Sequence, residues 1–242
     1  MPMKKEVIVA EHISKEVSLG GKKKIKILND ISLTASDHEF LSIVGPSGSG
    51  KSTLLQCLSG LSNPSKGTVQ INDRAPYQLR PSQIARMRRQ EIGYIFQSYN
   101  LLPALPVFEN IVLPLRLSGK KVSRQAVIDL LKRMKFTPDL KSFVANLSGG
   151  EQQKVAIARV LMTQTKIIFA DEPTGAVDSA SKEVIFQLLR DLADAGACVV
   201  MVTHDIELAA RTDRTVTLKD GAIKKMFNQP RAQDLLLAIE EG

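Results

Sequence analysis

The chain has 242 residues, enough for one large domain or two small ones with a substantial core. Hydrophobic residues at 43% and charged residues at 24% are ordinary for a soluble globular protein, and no apolar run approaches the ~20 residues that span a bilayer. The net charge of +8 is dispersed, which argues against a specific nucleic-acid role; its densest run, Lys22-Lys23-Lys24 with Lys26, reads as a solvated turn.

At the N-terminus Lys4 and Lys5 are followed by Glu6, with no long apolar core or small-residue cleavage site, so no secretory signal is expected. Val7-Ile8-Val9, then Ile25 and Ile27, then Ile31 and Leu33 alternate with polar turns, which is strand and hairpin patterning. Phe40-Leu41-Ser42-Ile43-Val44 is a compact strand running into Gly45-Pro46-Ser47-Gly48-Ser49-Gly50-Lys51-Ser52, a match to G-x-x-x-x-G-K-[ST]. Residues 52–58 then read as a mostly apolar, buried helix. Strand, glycine loop and helix in that order are the context a phosphate-cradling loop requires.

The chemistry follows from that context. A nucleotide's phosphates carry about four negative charges, which backbone N–H groups from Gly48 to Ser52 can wrap because glycine permits close approach. The helix N-terminus adds positive potential. Lys51 is placed to reach the β- and γ-phosphates, and the Ser52 hydroxyl to ligate Mg²⁺.

Further along, Gly67-Thr68-Val69-Gln70-Ile71 and Ile92-Gly93-Tyr94-Ile95-Phe96 read as strands. Residues 98–165 turn helical, punctuated by Pro103, Pro106, Pro114 and Pro138, with Ser123 a cap for a helix through Met134. Leu147-Ser148-Gly149-Gly150-Glu151 holds a second glycine pair. Ser148 followed three residues later by Glu151 is a capping box for a helix over 152–161. Two consecutive glycines are costly for a cap alone, and they suit a phosphate approaching the exposed N–H groups.

Ile167-Ile168-Phe169-Ala170 is a strand ending in Asp171-Glu172, carboxylates placed to hold a Mg²⁺ hydration shell and to orient the attacking water. A helix over 179–195 and a strand around Val199 follow. Cys57 and Cys198 both lie in apolar surroundings and point to neither a disulfide nor a metal site, so the chain reads as cytoplasmic. From about Asn228 the chain reads as an appended amphipathic helix. The alternation of strands and helices argues an α/β fold with a mainly parallel sheet, an N-terminal antiparallel β subdomain and an inserted α-helical subdomain.

In order, the phosphate loop, Gln97, residues 147–151, Asp171-Glu172, Gly175-Ala176-Val177-Asp178 and His204 resemble an ABC-type ATPase subunit over residues 6–226. The resemblance implies a P-loop NTPase core spanning residues 1–228, a helical subdomain at about 98–165, and a C-terminal extension over 229–242. It implies ATP bound by Gly45, Pro46, Ser47, Gly48, Ser49, Gly50, Lys51, Ser52 and Thr53, with Val17 at the adenine position. Mg²⁺ is assigned to Ser52, Gln97 and Asp171, and catalysis to Glu172, His204, Lys51 and Gln97. Ser148, Gly149, Gly150 and Glu151 are assigned to the ATP of a partner chain, and Asp178 to the interface of a homodimer. His12 and His38 are left as structural.

Three positions depart from the family pattern. No Phe, Tyr or Trp precedes Phe40, and Val17 stands where an aromatic is usual, so weaker or less base-selective nucleotide binding is expected. Val177 replaces the usual Leu, and Lys154 the usual Arg, keeping the charge without the guanidinium fork.

Residues 96–103, 108–115 and 170–175 resemble the ATPases of macrolide-export, lipoprotein-release, peptide-antibiotic-resistance and cell-division systems. That implies an integral membrane permease with a large extracytoplasmic domain, engaged at the cytoplasmic face of the membrane. A cell-division or signalling complex that moves no solute is the alternative. Soluble relatives acting on nucleic acid typically fuse two cassettes, and this chain carries one.

Overall fold

The structure is a computed structural model that describes residues 4–18 and 24–241; Lys22 and Lys23 of the basic run lie outside them. The short apolar stretches near the N-terminus merge into two long antiparallel strands, β1 (Glu6–Ser18) and β2 (Lys24–Ser36). Their register is interrupted at His12 and Asp30, both at positive φ and joined by a 2.9 Å side-chain hydrogen bond. β3 (Glu39–Val44) is buried throughout and leads through the glycine loop into α1 (Lys51–Leu58). β4 (Lys66–Ile71) returns to pair with β1. Gly67 permits this pairing: at φ 84°, a Cβ there would stand 2.4 Å from the Glu11 and His12 carbonyl oxygens.

A helix not read in the sequence, α2 (Pro81–Glu91), precedes β5 (Ile92–Ile95). The inserted helices are α3 (Val107–Leu117), α4 (Arg124–Arg133) and α5 (Gly149–Leu161). Ser123 caps α4 by accepting from the Ala126 N–H at 3.4 Å. β6 (Ile167–Asp171), α6 (Ser179–Asp194), β7 (Cys198–Val202) and the short α7 (Ile206–Ala209) complete the alternation. β8 (Arg214–Lys219), β9 (Ala222–Asn228) and α8 (Ala232–Glu241) close the chain.

Among the described residues the strands form two sheets. One is antiparallel, in the order β2-β1-β4; the other runs β5-β6-β7-β3-β8-β9 and is parallel except for the edge strand β9. Parallel strands covered on both faces read as continuous apolar runs, which is why β3, β6 and β7 were legible. The face toward α3, α5 and α6 holds Phe40, Ile168 and Val199, and the face toward the N-terminal sheet holds Leu41, Phe169 and Val200. Cys57 and Cys198 are buried and free.

The C-terminal helix is packed on the core rather than loosely appended. Leu235 of α8 is fully buried against Val44, the residue before the phosphate loop, and Ala209 of α7. Leu235→Ala is expected to cost about 2–5 kcal/mol in urea unfolding, the usual range for truncating a buried leucine. A change below a few tenths of a kcal/mol rejects this packing.

Candidate functional site

The site is set by three neighbouring parallel strands whose carboxyl ends lie side by side. β3 ends at Val44, β6 at Asp171 and β7 at Val202, so Gly45, Glu172 and Thr203 leave the sheet side by side. In parallel α/β sheets that edge is where ligands bind, because the loops leaving it open a crevice. Backbone bonds lock the three ends together: Glu172 N–H donates to the Val202 carbonyl at 3.0 Å, and Thr203 N–H to that of Ile43 at 3.3 Å.

The glycine loop has the backbone freedom the sequence requires. Gly45, Gly48 and Gly50 all stand at positive φ, and a Cβ on Gly45 would stand 2.0 Å from the Leu218 carbonyl oxygen. Lys51 Nζ donates to the Gly45 and Pro46 carbonyls, each at 2.8 Å, so its ammonium lies within the loop's own curve. Burial lowers the Lys51 pKa, while the charges of Glu172 and Asp171 oppose that shift.

Asp171 and Glu172 take different surroundings from adjacent positions. Asp171 is buried and accepts a 2.9 Å hydrogen bond from the Ser52 hydroxyl. Glu172 leaves the strand at φ 49°, an uncommon conformation for a non-glycine residue, which turns its carboxylate toward His204. His204 Nδ1 lies 2.9 Å from Glu172 Oε2, and the His204 N–H donates to the same oxygen at 3.4 Å. Burial raises both carboxyl pKa values; Ser52 and Lys51 oppose this at Asp171, and His204 and Lys51 oppose it at Glu172.

A cavity of about 570 Å³ gathers these groups, with Pro46, Lys51, Gln97, Glu172 and His204 among its walls. Tyr99 of the segment 96–103 and Ala176 of the motif 175–178 also line it, as does Gln153, which no motif had singled out. Gln153 is buried on α5 and donates to the Pro173 carbonyl at 3.0 Å, fixing the loop after Glu172. Gln153 sits in the polar stretch Glu151-Gln152-Gln153-Lys154, so nothing in the local pattern sets it apart from its neighbours. Ser52 and Asp171 supply hard oxygen donors, and among the described residues no cluster of three or more His, Cys, Asp or Glu could hold a metal. Such a set suits Mg²⁺, which binds through one or two protein oxygens together with phosphate oxygens and water.

A second cavity of about 540 Å³ lies on the other side of the loop, between Gly48 to Thr53 and the residues Ile25, Ile27, Asp220 and Gly221. Val17, the adenine position by resemblance, is not among its lining residues. The apolar walls come instead from β2, where Ile25 is the cross-strand partner of Val17.

Residues 148–151 line neither cavity. The capping box forms as read: Ser148 Oγ accepts from the Glu151 N–H at 3.4 Å, and Glu151 Oε2 accepts from the Ser148 N–H at 2.9 Å. These Ser148 hydrogen bonds lower the Glu151 pKa. The two glycines differ. A Cβ on Gly150 would stand 2.8 Å from the Ala176 carbonyl oxygen, whereas on Gly149 it would meet only the Tyr99 hydroxyl, at 3.1 Å. Gly150 thus has a packing reason within its own chain, which the sequence argument from phosphate approach did not include. Asp178 caps α6 by accepting from the Ser181 N–H at 2.9 Å, and its carboxylate is largely exposed. Those Ser181 bonds hold its pKa down at about 2. Lys154 lies 3.7 Å from Asp178, a single ion pair where a guanidinium fork could make two.

A family model described as ABC transporter matches residues 28–175. Among curated proteins, the lipoprotein-releasing system ATP-binding protein LolD of Shewanella frigidimarina is 40% identical over 90% of this chain and 92% of its own length. The macrolide export ATP-binding/permease protein MacB of Bdellovibrio bacteriovorus is 42% identical over 84% of this chain, which spans 31% of that longer protein. Among solved structures, a dimeric post-hydrolysis state of the ATP-binding cassette MJ0796, bound to ADP and Pi, superposes with a TM-score of 0.86. It is 36% identical and covers 93% of this chain and 99% of its own.

Proposed function

The chain belongs to the ABC transporter family and is an ATPase coupled to transport; from that premise we propose that it works as a homodimer with two shared ATP sites. In each site ATP lies between residues 45–53 of one chain and Ser148, Gly149, Gly150 and Glu151 of the other, with Asp178 at the interface. The observation that carries this reading is the division of the phosphate-binding features. The loop, Asp171, Glu172 and His204 share one cluster, while the capped N-terminus of α5 lines neither cavity beside the loop.

Each residue then has a physical task. Backbone N–H groups of the loop and Lys51 meet the phosphate charge, in a crevice where such contacts count for more than in water. Glu172 accepts the proton of the attacking water, held in place by His204, and Gln97 orients that water. Ser52, Asp171 and Gln97 would hold Mg²⁺, which would supply neutralisation of the phosphate charge. The N-terminus of the partner's α5 completes the positive surround of the γ-phosphate only when the dimer closes. Hydrolysis removes that bridge, so the closed population falls and the motion is passed to the permease. ATP-dependent dimerisation in light scattering tests this scheme; a chain that stays monomeric with saturating ATP and turns it over at the full rate rejects it.

The lipoprotein-releasing LolD and macrolide-export MacB relatives support an export system; we extend this to an export or mechanotransmission system for lipids, peptides or antibiotics whose permease bears a large extracytoplasmic domain. The chain then sits on the cytoplasmic face of the membrane, held there by the permease. A groove of about 470 Å³ suits that contact, with a floor that includes Tyr94, Phe96 and Leu113, and Arg88 and Arg89 beside it. Leu117 at its edge is 64% exposed. Arg159 also lines it and donates to the Tyr99 and Asn100 carbonyls, joining the groove to the segment after Gln97. Leu117→Asp is expected to abolish co-purification with the permease while the isolated subunit keeps its basal ATPase rate. Undiminished co-purification excludes the groove as the contact.

A further inference from the structure

The net charge of +8, dispersed when read run by run, is concentrated when read by segment. Residues 80–124 carry eight Arg or Lys against two Glu, so six of the eight net positive charges belong to this stretch. The fold brings its charges to the rim of the apolar groove between α2 and α3. Arg89 lines that groove, and Arg86 stands one turn away on the exposed face of α2. Across the groove α3 ends at Leu117. The Lys120 N–H donates to the Leu115 carbonyl at 2.9 Å, which ties Lys120 and Lys121 to that helix end.

The two carboxylates of the stretch do not offset these charges. Glu91 is engaged by Arg74 and Asn72, and Glu109 by Arg116 at 2.8 Å. Arg88 is turned inward and donates to the Gly60 carbonyl. Arg86 donates to the neutral side chain of Gln90. Arg86, Arg89, Lys120 and Lys121 are all exposed, and among the described residues none of the four has a carboxylate partner. They come from two elements on opposite sides of a groove whose exposed edges are Leu61 and Leu117. Cations spread in this way around apolar side chains suit many anionic groups in a plane better than one anion in a pocket. An anionic bilayer leaflet presents that plane, and each Lys or Arg at its surface strengthens binding by about fivefold.

We propose that this rim rests on anionic lipid headgroups, so that the bilayer as well as the permease holds the subunit. The proposal rests on the reading of the groove as the permease contact, which turns this face toward the membrane. The contact is electrostatic and reversible, with a reach of about 8 Å at physiological salt. No helix among the described residues is long and apolar enough to cross a membrane.

Sedimentation of the full chain with lipid vesicles tests this. Phosphatidylcholine vesicles containing about 30% phosphatidylglycerol are expected to bind at least about tenfold more tightly than pure phosphatidylcholine at about 50 mM salt. That difference should collapse at about 500 mM salt. Equal binding to both vesicles, or binding to neither, overturns the proposal. Lys120→Glu with Lys121→Glu is expected to weaken binding to the anionic vesicles by about 25-fold or more. Lys224→Glu with Arg231→Glu makes the same change of net charge on β9 and just before α8, at the far edge of the sheet from β5. This second pair should weaken binding by less than about threefold. Equal loss in both pairs would mean a response to overall charge and rejects the rim. Basal ATPase rates matching the parent's check that both variants fold. In detergent, with no bilayer present, the chain altered at Lys120 and Lys121 is expected to co-purify with the permease as the parent does. Reduced co-purification would assign the two lysines to the permease and overturn the lipid contact. Failure of the parent itself to co-purify removes the permease reading, and it is read apart from vesicle binding.

Discussion

Glu172→Gln is expected to lower kcat by about 10²–10⁴-fold, the usual contribution of a general base, while leaving ATP binding near normal. The substitution is nearly isosteric, and the glutamine oxygen can still accept from the His204 N–H. The backbone geometry does not depend on the charge, because the φ of 49° is held by the bond from the Glu172 N–H to the Val202 carbonyl. What is lost is the ability to take a proton from water. The same change removes a negative charge from beside the triphosphate, so the closed dimer is expected to persist with ATP. Single-turnover hydrolysis, nucleotide titration and light scattering read the three quantities separately. Near-normal turnover would remove Glu172 from its assigned role.

Gly149→Asp is expected to abolish hydrolysis, by at least about 10²-fold, with nucleotide binding by the monomer unchanged. The structure makes this glycine, and not its neighbour, the clean probe. Gly150 cannot take a Cβ without meeting the Ala176 carbonyl, so changes there mix packing with chemistry. At Gly149 the nearest atom is the end of the Tyr99 side chain. An aspartate in the first turn of α5 even favours the helix dipole, so the fold should not suffer, yet its carboxylate repels an approaching phosphate. Mixing this variant with Lys51→Ala gives a further check. A heterodimer holds one site with an intact loop from one chain and an intact α5 terminus from the other, so hydrolysis should partly return. No return on mixing, with heterodimers demonstrated, rejects the shared site.

The legible parts of this fold were those written in neighbouring residues. The phosphate loop, the Ser123 cap and the capping box of Ser148 with Glu151 are local patterns, and each forms as read. β3, β6 and β7 were legible because double burial makes them continuous apolar runs. α2 was missed because its apolar face is only the buried Met87 and the partly buried Ile84, too short a stripe to read among three Arg and two Gln. β8 and β9 were passed over, although the buried Val216 and Leu218 alternate in the period of a strand. The walls of the site came from long-range packing. Gln153 acts through the Pro173 carbonyl, Gly150 answers to Ala176, and Ile25 rather than its cross-strand neighbour Val17 lines the cavity beside the loop.

The central position of β3 has a consequence for how the chain is made. Its six residues are all buried, and its partners β7 and β8 lie roughly 160 and 173 positions later, as the pairs Glu39 with Cys198 and Leu41 with Arg214 record. At about 5–20 residues per second of synthesis, this apolar strand waits on the order of 10–30 s before either neighbour exists. During that interval the nascent chain carries an unpaired strand edge just upstream of its phosphate loop. Yield of the folded cassette should therefore be governed by shielding of the growing chain, and slower, cooler expression with abundant chaperone should raise the soluble fraction more than any change of buffer after lysis.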